Sequence, residues 1–273
     1  MISRTYLPPP PLSEFVALFC LYEGFAAPHA KERVLPTGTM ELVINLRDDT
    51  LRVYDRQDHA KFQSFRGGVI CGAHSEFFVI DTANQAAIMG VHFKPGGAFP
   101  FLHLPACELH DAHVSLDTLW GPKANELREQ LLEATTPETR FHILEQFLLA
   151  QAARPLAHHP AVAFALKELL GTPHTHPLAD LTERIGLCQR RFIQVFREEV
   201  GLTPKLFCRI RRFQEVVRRI GGGQRIDWVD IALACGYFDQ AHFIHDFRAF
   251  SGLKPTTYVV QRSERPNHVP LRA

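Results

Sequence analysis

The spacing of apolar residues changes once along the chain, near Leu116. Before that point, apolar residues come in short stretches separated by turn formers such as Pro36-Thr37-Gly38 and Pro95-Gly96-Gly97. Stretches of this kind are typical of β-strands. Strands are predicted at 40–46, 51–54, 68–71, 77–80 and 87–93. Their spacing favours a small antiparallel barrel or sandwich. A short helix is expected before them, with Ser13 as its N-cap and a buried side formed by Phe15, Val16, Leu18 and Phe19.

From Leu116 onward the apolar spacing is helical. Helices are predicted after Pro122 and Pro137, because proline suits the first turn, and a further one is predicted over about 159–170. The stretch 171–177, rich in Gly and Pro, is the best linker candidate. We therefore expect an α+β protein: a β-rich domain at 1–116, a helical connecting region at 117–171, an all-α domain at 172–262 and a tail at 263–273.

Two segments beyond the linker share one spacing of glycine, phenylalanine and proline. The first copy contains Gly186, Phe192, Phe196, Gly201 and Pro204, and the second contains Gly236, Phe243, Phe247, Gly252 and Pro255. The last four positions of the two copies match at one offset of 51 residues, and both copies spell Gly-Leu-x-Pro. Such self-similarity indicates a duplicated supersecondary unit.

Each copy is interpreted as a helix-turn-helix. A first helix ends at the glycine, a short turn follows, and a second helix is predicted at 189–200 in one copy and at 239–249 in the other, with Asp239 as an N-cap. The phenylalanines face inward. Thr203 and Pro204 are expected to begin a helix that runs to about Ile220 and spans about 25 Å. With the width of the flanking helices added, the two second helices would lie about 34 Å apart, one turn of duplex DNA.

Composition and charge support two domains of different character. A chain of 273 residues with 46% hydrophobic residues is long enough for two cores, which excludes overall disorder. Residues 1–176 contain 14 basic and 19 acidic residues, a net charge of −5, whereas 177–262 contain 14 and 9, a net charge of +5. A basic module beside an acidic one fits a protein of which one half meets a polyanion.

The chain shows no membrane or secretion signal. Prolines occupy the N-terminal stretch where a signal peptide is apolar, and the apolar runs fall short of the roughly 18 residues of a membrane span. Six cysteines without a C-x-x-C pair indicate buried thiols in a reducing compartment. A soluble, cytoplasmic protein is expected.

The second copy matches a longer pattern, G-[FY]-x-D-Q-x-x-F-x-x-x-F, at Gly236, Tyr237, Asp239, Gln240, Phe243 and Phe247. With the Gly-x-x-Pro of the first copy and the helix between the copies, the region 177–258 resembles the DNA-binding domain of the AraC/XylS family. The resemblance implies a sequence-specific transcription regulator, either an activator or a repressor, that binds double-stranded promoter DNA.

The resemblance also implies which side chains meet the bases. In the first recognition helix they are Arg190, Ile193 and Gln194, and in the second they are Gln240, Ala241, Ile244 and His245. Arginine suits guanine, glutamine suits adenine, and isoleucine can meet a thymine methyl. Candidate phosphate contacts, which fix register without reading sequence, are Arg191, Arg197, Arg211, Arg212 and Arg248.

The chain departs from the family pattern at three positions, so that its target sequence cannot be deduced. Thr182 stands where alanine is usual, and Gln194 and His245 stand where arginine is frequent.

The N-terminal part resembles the β-rich, cupin-like domain that precedes this DNA-binding domain in one branch of the family. The matching segments are 35–42 and 93–98. The resemblance implies a sensor or dimerisation module and supplies no ligand. A small-molecule effector, a second copy of the chain and RNA polymerase are the candidate partners besides DNA, and no cofactor is expected.

Two other functions stay open at this point. One is a cupin-like enzyme with an attached DNA-binding domain, because a barrel can hold a metal and the β-rich part contains or adjoins His74, His92, His103, His110 and His113. No H-E-x-x-H, G-x-S-x-G or phosphate-loop motif accompanies them, so neither catalytic nor metal-ligating residues are predicted. The other is an architectural DNA binder with little sequence preference.

Overall fold

The N-terminal domain is built from two antiparallel sheets. The structure is a computed structural model that describes residues 2–24, 26–171, 178–220 and 226–271, except for the side chains of Ile2, Leu178 and Ala179. The strands are β1 Ile2–Tyr6, β2 Val16–Glu23, β3 Lys31–Val34, β4 Glu41–Asn45, β5 Thr50–Tyr54, β6 Phe62–Arg66, β7 Gly68–Cys71, β8 Phe78–Asp81, β9 Ala87–Phe93, β10 His113–Ser115 and β11 His268–Pro270. The first sheet has the order β1-β2-β9-β4-β7-β10, and the second has the order β11-β3-β8-β5-β6.

Alternation along the central strand β4 explains how the first sheet is buried on both faces. Leu42 and Ile44 belong to the large core that this sheet shares with the helices. Val43, which points the opposite way, packs in a smaller cluster with Leu51 and Phe65 of the second sheet. The N-terminal domain is therefore a small sandwich with helices covering one side.

The five strands predicted from the sequence are present, and two of them coincide with β7 and β9 residue by residue. The short helix predicted from Ser13 is wrong. A single 3-10 turn spans Leu12–Glu14, and the apolar run after it is the strand β2. This run pairs along both of its edges, with β1 and with β9, and that pairing outweighs the helical spacing of its apolar residues.

The remainder of the described chain is mostly helical. The α-helices are α1 Leu116–Trp120, α2 Pro122–Glu133, α3 Pro137–Ala150, α4 Pro160–Gly171, α5 Leu178–Ile185, α6 Gln189–Val200, α7 Pro204–Ile220, α8 Trp228–Ala234, α9 Gln240–Ser251 and α10 Pro255–Gln261. Prolines stand at the start of α2, α3 and α4, as expected. The linker candidate 171–177 lies outside the described residues beyond Gly171. Within the described ranges, no helix combines the length and the apolar character that crossing a membrane requires.

The end of the chain returns to the N-terminal domain. Although 263–273 was predicted as a tail, its residues His268–Pro270 form β11, an edge strand paired antiparallel with β3. Val269 is fully buried, and the Leu35 N–H donates to the Asn267 carbonyl at 2.8 Å. Within the predicted tail, residues 268–270 are therefore an edge strand of the second sheet, and the Leu271 N–H donates to the Lys31 carbonyl at 2.9 Å.

The C-terminal helices pack directly on the β-rich domain. A Cβ added to Gly201, at the end of α6, would lie 3.0 Å from Met40 Cε and 3.3 Å from the Ala106 carbonyl oxygen. Residues from both halves belong to one continuous hydrophobic core. The two domains are thus joined by side-chain packing as well as by the connecting chain.

Candidate DNA interface

The first helix-turn-helix unit consists of α5, a turn through Gly186 and α6. Gly186 has φ +73°, which is a left-handed conformation that glycine adopts without strain and that ends α5. Phe192 and Phe196 are fully buried on the inner side of α6, with their ring centroids 5.8 Å apart. The bounds of α6 match the predicted recognition helix at both ends.

The second unit repeats this construction with α8, Gly236 and α9. Gly236 has φ +76°, and the Asp239 side chain caps α9 by accepting a hydrogen bond from the His242 N–H at 2.7 Å. Phe243 and Phe247 are fully buried. The predicted N-cap is confirmed, and the helix runs two residues further than expected, to Ser251.

The linker helix α7 holds the two units together. Near its start, Phe207 packs edge-on against Phe196 of the first unit, with centroids 5.8 Å apart. Two turns later, Phe213 packs against Phe247 of the second unit at 5.2 Å. The helix starts at Pro204 as predicted, and Thr203 Oγ1 accepts from the Leu206 N–H at 3.2 Å. A single helix thus contributes to both cores and fixes their separation.

The outer faces of α6 and α9 carry the residues predicted to read bases. Those with exposed side chains are Arg190, Gln194, Gln240, Ala241 and His245, and the half-buried ones are Ile193 and Ile244. The Gln194 side-chain amide donates one hydrogen bond to Glu198 Oε1 at 2.8 Å. Around His245, the outer face of α9 has a shallow hollow lined by Ala241, Ile244, Arg248 and Ala249.

The predicted phosphate contacts divide into two groups. Arg191, Arg197 and Arg248 are exposed on the recognition helices, whereas Arg211 and Arg212 are half-buried on α7. The Arg212 guanidinium donates to the Gly236 carbonyl at 3.1 Å and lies 5.2 Å from the centre of the Tyr237 ring. Arg212 therefore supports the turn of the second unit.

One ion pair that the sequence reasoning missed orients the second recognition helix. Arg209 Nη2 of α7 lies 2.6 Å from Oδ1 of Asp246, a nearly fully buried residue of α9. The hydrogen bond to Asp246 and the attraction of its charge hold the pKa of Arg209 above its ordinary value, although burial acts the other way. A sequence signal existed, because Asp246 falls inside the buried stripe of Phe243 and Phe247, where a carboxylate needs a partner.

A similar buried carboxylate anchors the first recognition helix. Glu199 of α6 contacts His158 Nδ1 with one oxygen and accepts from the His159 N–H at 3.1 Å with the other. Both histidines lie just before α4. Glu199 therefore joins the end of the first recognition helix to the connecting region.

The described part of the chain offers no assembled metal centre. Among its residues, no group of three or more His, Cys, Asp or Glu side chains has the arrangement to hold a metal ion. The six cysteines are free thiols, of which Cys20, Cys71 and Cys235 are buried and Cys107 and Cys208 half-buried; the expectation of a buried thiol is wrong for Cys188, which is exposed.

Comparison with protein families assigns both halves of the chain. A model described as "Helix-turn-helix domain" matches residues 181–261, and a model described as "Domain of unknown function (DUF6597)" matches residues 4–115. The first match covers α6 to α9, which carry the two recognition helices. The second covers the two sheets except for the strand contributed by the end of the chain.

Two curated relatives and several solved structures are similar to the chain. An uncharacterized HTH-type transcriptional regulator of Haemophilus influenzae is 26% identical over 118 residues, which are 43% of this chain and 39% of that protein. The probable transcriptional regulator LumQ of Photobacterium leiognathi is 26% identical over 81 residues, 30% of this chain and 32% of its own. The matched part thus spans about a third to two fifths of the length of these relatives.

Structures of ToxT from Vibrio cholerae are among the solved structures that match. One is 7% identical with a TM-score of 0.47, covering 94% of this chain and 98% of ToxT. Another, of ToxT bound to (E)-4-(8-methylnaphthalen-1-yl)but-3-enoic acid, is 8% identical with a TM-score of 0.49, covering 89% of this chain and 98% of ToxT.

From the family matches, residues 181–261 are a helix-turn-helix domain of the AraC type, and residues 4–115 belong to a domain family of unknown function.

Proposed function

We propose that the protein is a sequence-specific DNA-binding transcription regulator in which α6 and α9 enter successive major grooves of one promoter site. The observation that carries the proposal is that one linker helix, α7, packs on two recognition helices whose outer faces are exposed. Their phenylalanines are buried, their outer faces are exposed, and the glycine corners at their C-terminal ends pack on the β-rich domain. Both reading surfaces are therefore open to DNA at the same time.

The side chains on these surfaces have complementary roles in the proposal. Arg190 is suited to the guanine edge and Gln240 to the adenine edge, and Ile193 and Ile244 can meet thymine methyls. Arg191, Arg197 and Arg248 supply phosphate contacts, which position the helices in the grooves. The net charge of +5 over 177–262 supports this assignment, since charge attracts the domain to any duplex before bases are read.

The β-rich domain acts in the proposal as the regulatory part. The β-rich domain packs on the ends of both recognition helices. A small-molecule effector or a second copy of the chain that alters the conformation of this domain therefore also alters the position of the helices. We also propose RNA polymerase as a partner in the case that the protein acts as an activator.

The test is selection from a random DNA library with the full-length protein at two salt concentrations. We expect an enriched motif with two boxes about one helical turn apart, bound less tightly as salt rises. Recovery of no motif at either salt concentration would favour an architectural DNA binder and contradict sequence-specific reading.

Two substitutions separate base reading from phosphate binding on the selected site. We expect Gln240→Ala to relax preference at one or two base positions and to cost about 1 to 3 kcal/mol of binding free energy on the selected site. The matched change Arg197→Ala should weaken binding to all sequences alike. It should also reduce the number of counterions released on binding, measured from the salt dependence, by about one. Equal effects of both changes on every sequence would refute the assigned roles.

A further inference from the structure

A cleft with aromatic walls opens on the N-terminal domain. It has a volume of about 440 Å³ and lies between the hairpin formed by β5 and β6 and the loop 72–77. Its aromatic lining consists of Tyr54, Phe62, His74, Phe77, Phe78 and His113. Small-molecule sites in proteins have volumes of about 300 to 1000 Å³ and are lined mainly by such side chains.

The hairpin wall of the cleft presents aromatic surface to water. The Tyr54 and Phe62 rings lie 5.4 Å apart, and Phe62 is 50% exposed. The Tyr54 hydroxyl donates to Asp81 Oδ2 at 3.1 Å, which fixes the orientation of this ring. A flat molecule in the cleft would cover the Phe62 ring and remove its apolar surface from water.

The inner end of the cleft contains two histidines with unused nitrogen atoms. The rings of His74, Phe78 and His113 lie with their centroids 4.5 to 4.6 Å apart. The Nε2 atoms of His74 and His113 are buried and have no hydrogen-bond partner among the described residues. Burial, together with the nearby His74, lowers the pKa of His113 to about 3, so that this ring is neutral near pH 7. His74 Nδ1 faces Asp111 Oδ1 at 3.6 Å, so that in the tautomer with its proton on Nδ1 the Nε2 atom of His74 is an acceptor for a ligand O–H or N–H.

The charged groups at the cleft are already matched within the protein. Arg56 pairs with Glu76, Lys61 Nζ lies 3.1 Å from Asp58 Oδ2, and Asp111 accepts hydrogen bonds from the Ser75 N–H and hydroxyl at 2.6 and 2.5 Å. The lining therefore selects for aromatic shape and a hydrogen-bond donor more than for a net charge on the ligand.

One lining residue reaches the DNA-binding domain. The Phe77 ring packs on Gly252, the glycine that ends α9 with φ +69°. A Cβ added to Gly252 would lie 2.9 Å from Phe77 Cζ and closer still to its Cε1, so that no space separates the ring from this corner. A change in the position of Phe77 is therefore felt at the end of the second recognition helix.

We propose that this cleft binds a flat aromatic small molecule bearing an O–H or N–H donor, and that Phe77 transmits its presence to α9 through Gly252. The regulatory meaning of the site rests on the proposed function, since α9 reads DNA only in that account. Binding and transmission themselves can be measured without DNA.

The experiment uses the full-length protein and two pairs of probes of similar size. Indole and phenol are the aromatic donors, and octahydroinden-5-ol and cyclohexanol, which like them are uncharged near pH 7, are their saturated counterparts. Ligand-observed NMR measures the dissociation constants, and hydrogen exchange measures the amides of 248–253. We expect indole or phenol to bind about fivefold or more tightly than its counterpart, because stacking on aromatic rings needs a flat partner. We also expect exchange at 248–253 to change when it binds.

Substitutions locate the site and the route. Phe62→Ala should weaken binding of the aromatic probe about fivefold or more, whereas Phe238→Ala, which removes a ring that is 87% exposed on the C-terminal domain, should leave it unchanged. Phe77→Leu should reduce the exchange response at 248–253 more than it reduces binding.

Three results would overturn the inference. They are dissociation constants above about 10 mM for every probe, equal binding by wild type and Phe62→Ala, and binding without any exchange response at 248–253. A failure of the DNA library selection alone would leave these measurements untouched, so that the two accounts fail separately.

Discussion

Three buried carboxylates mark the places where distant segments of the chain meet. Glu32 of β3 is held by His268 and Arg265 near the end of the chain, Glu199 of α6 by His158, and Asp246 of α9 by Arg209. A buried carboxylate without partners would be strongly destabilising, so each of these contacts depends on the two segments staying together.

Glu32 should make the attachment of the terminal strand sensitive to acid. Burial alone would raise the pKa of Glu32, but hydrogen bonding and charge from His268, with the charge of Arg265, hold it below the ordinary value near 4.5. A lowered pKa means that the ionised form stabilises the fold above that ordinary value, and that this contribution is lost as pH falls through the lowered pKa. We expect Glu32→Gln to reduce the free energy of unfolding by about 2 kcal/mol near pH 7.

The pH dependence of that difference is the measurement. Urea unfolding of wild type and Glu32→Gln, followed from about pH 7 to about pH 3, should show the difference shrinking below about pH 4.5. The exposed change Glu14→Gln serves as the control and should have little effect throughout. A Glu32→Gln difference that stayed constant over this range would refute the role given to the ion pairs.

The two recognition helices begin differently, and this gives a paired prediction. Asp239 caps α9 through its side chain, whereas Cys188 at the N-cap of α6 makes no such hydrogen bond, although its φ −62° and ψ 147° suit a cap. We expect Asp239→Ala to reduce the free energy of unfolding by about 1 kcal/mol and Cys188→Ser to increase it by about 0.5 kcal/mol. Thermal unfolding of both variants tests this. A stabilising effect of Asp239→Ala or a destabilising effect of Cys188→Ser would contradict the capping roles.

At this scale the sequence predicted which residues of the recognition helices are exposed or buried, but not the polar contacts between helices. The exposed side chains of α6 and α9 follow from helical spacing once the inward phenylalanines are known. The roles of Arg209 and Arg212 do not, because both lie on the basic side of α7 and only the packing of α9 and its turn shows which arginines are occupied.

At the scale of elements, the repeated Gly-Leu-x-Pro corners have two uses. Each glycine ends a recognition helix in a left-handed conformation, with φ +88° at Gly201 and +69° at Gly252. Each also packs against the β-rich domain, Gly201 on Met40 and Gly252 on Phe77. The repeat that identified the helix-turn-helix units therefore also provides the surface by which they dock.

Alanine at two glycines separates these uses. Gly252→Ala should destabilise the protein by about 1 kcal/mol for the left-handed backbone and by about 1 to 3 kcal/mol more for the collision with Phe77. Gly186→Ala carries only the first cost, because nothing lies within 4 Å of its Cβ position. Guanidinium unfolding of both variants should show the larger loss for Gly252→Ala. Equal losses would mean that the corner does not pack on Phe77 in solution.

The strands predicted correctly are those that read as apolar stretches between turns, such as β7 and β9. Among the strands that were missed, β2 has apolar residues at a helical spacing, β6 is polar at the surface, and β11 depends on a distant partner. A segment of three residues such as His268–Pro270 has too little pattern to be recognised, and only its pairing with β3 makes it a strand.

At the scale of the whole molecule, the β-rich domain contacts both helix-turn-helix units, and β11 forms an edge strand of the second sheet. The linker helix joins the two units through Phe207 and Phe213, so their separation is set by packing inside the chain. Such an arrangement holds two reading surfaces at one spacing, and DNA sites with another spacing should not satisfy both.

The most direct test of this account is to change the spacing of the DNA site. In the sequence enriched by library selection, five base pairs inserted between the two boxes turn one box by about half a helical turn, away from the protein. The account predicts that affinity falls at least about tenfold, close to that of a site with one box destroyed. Unchanged affinity after the insertion would show that the two helices do not read one duplex together.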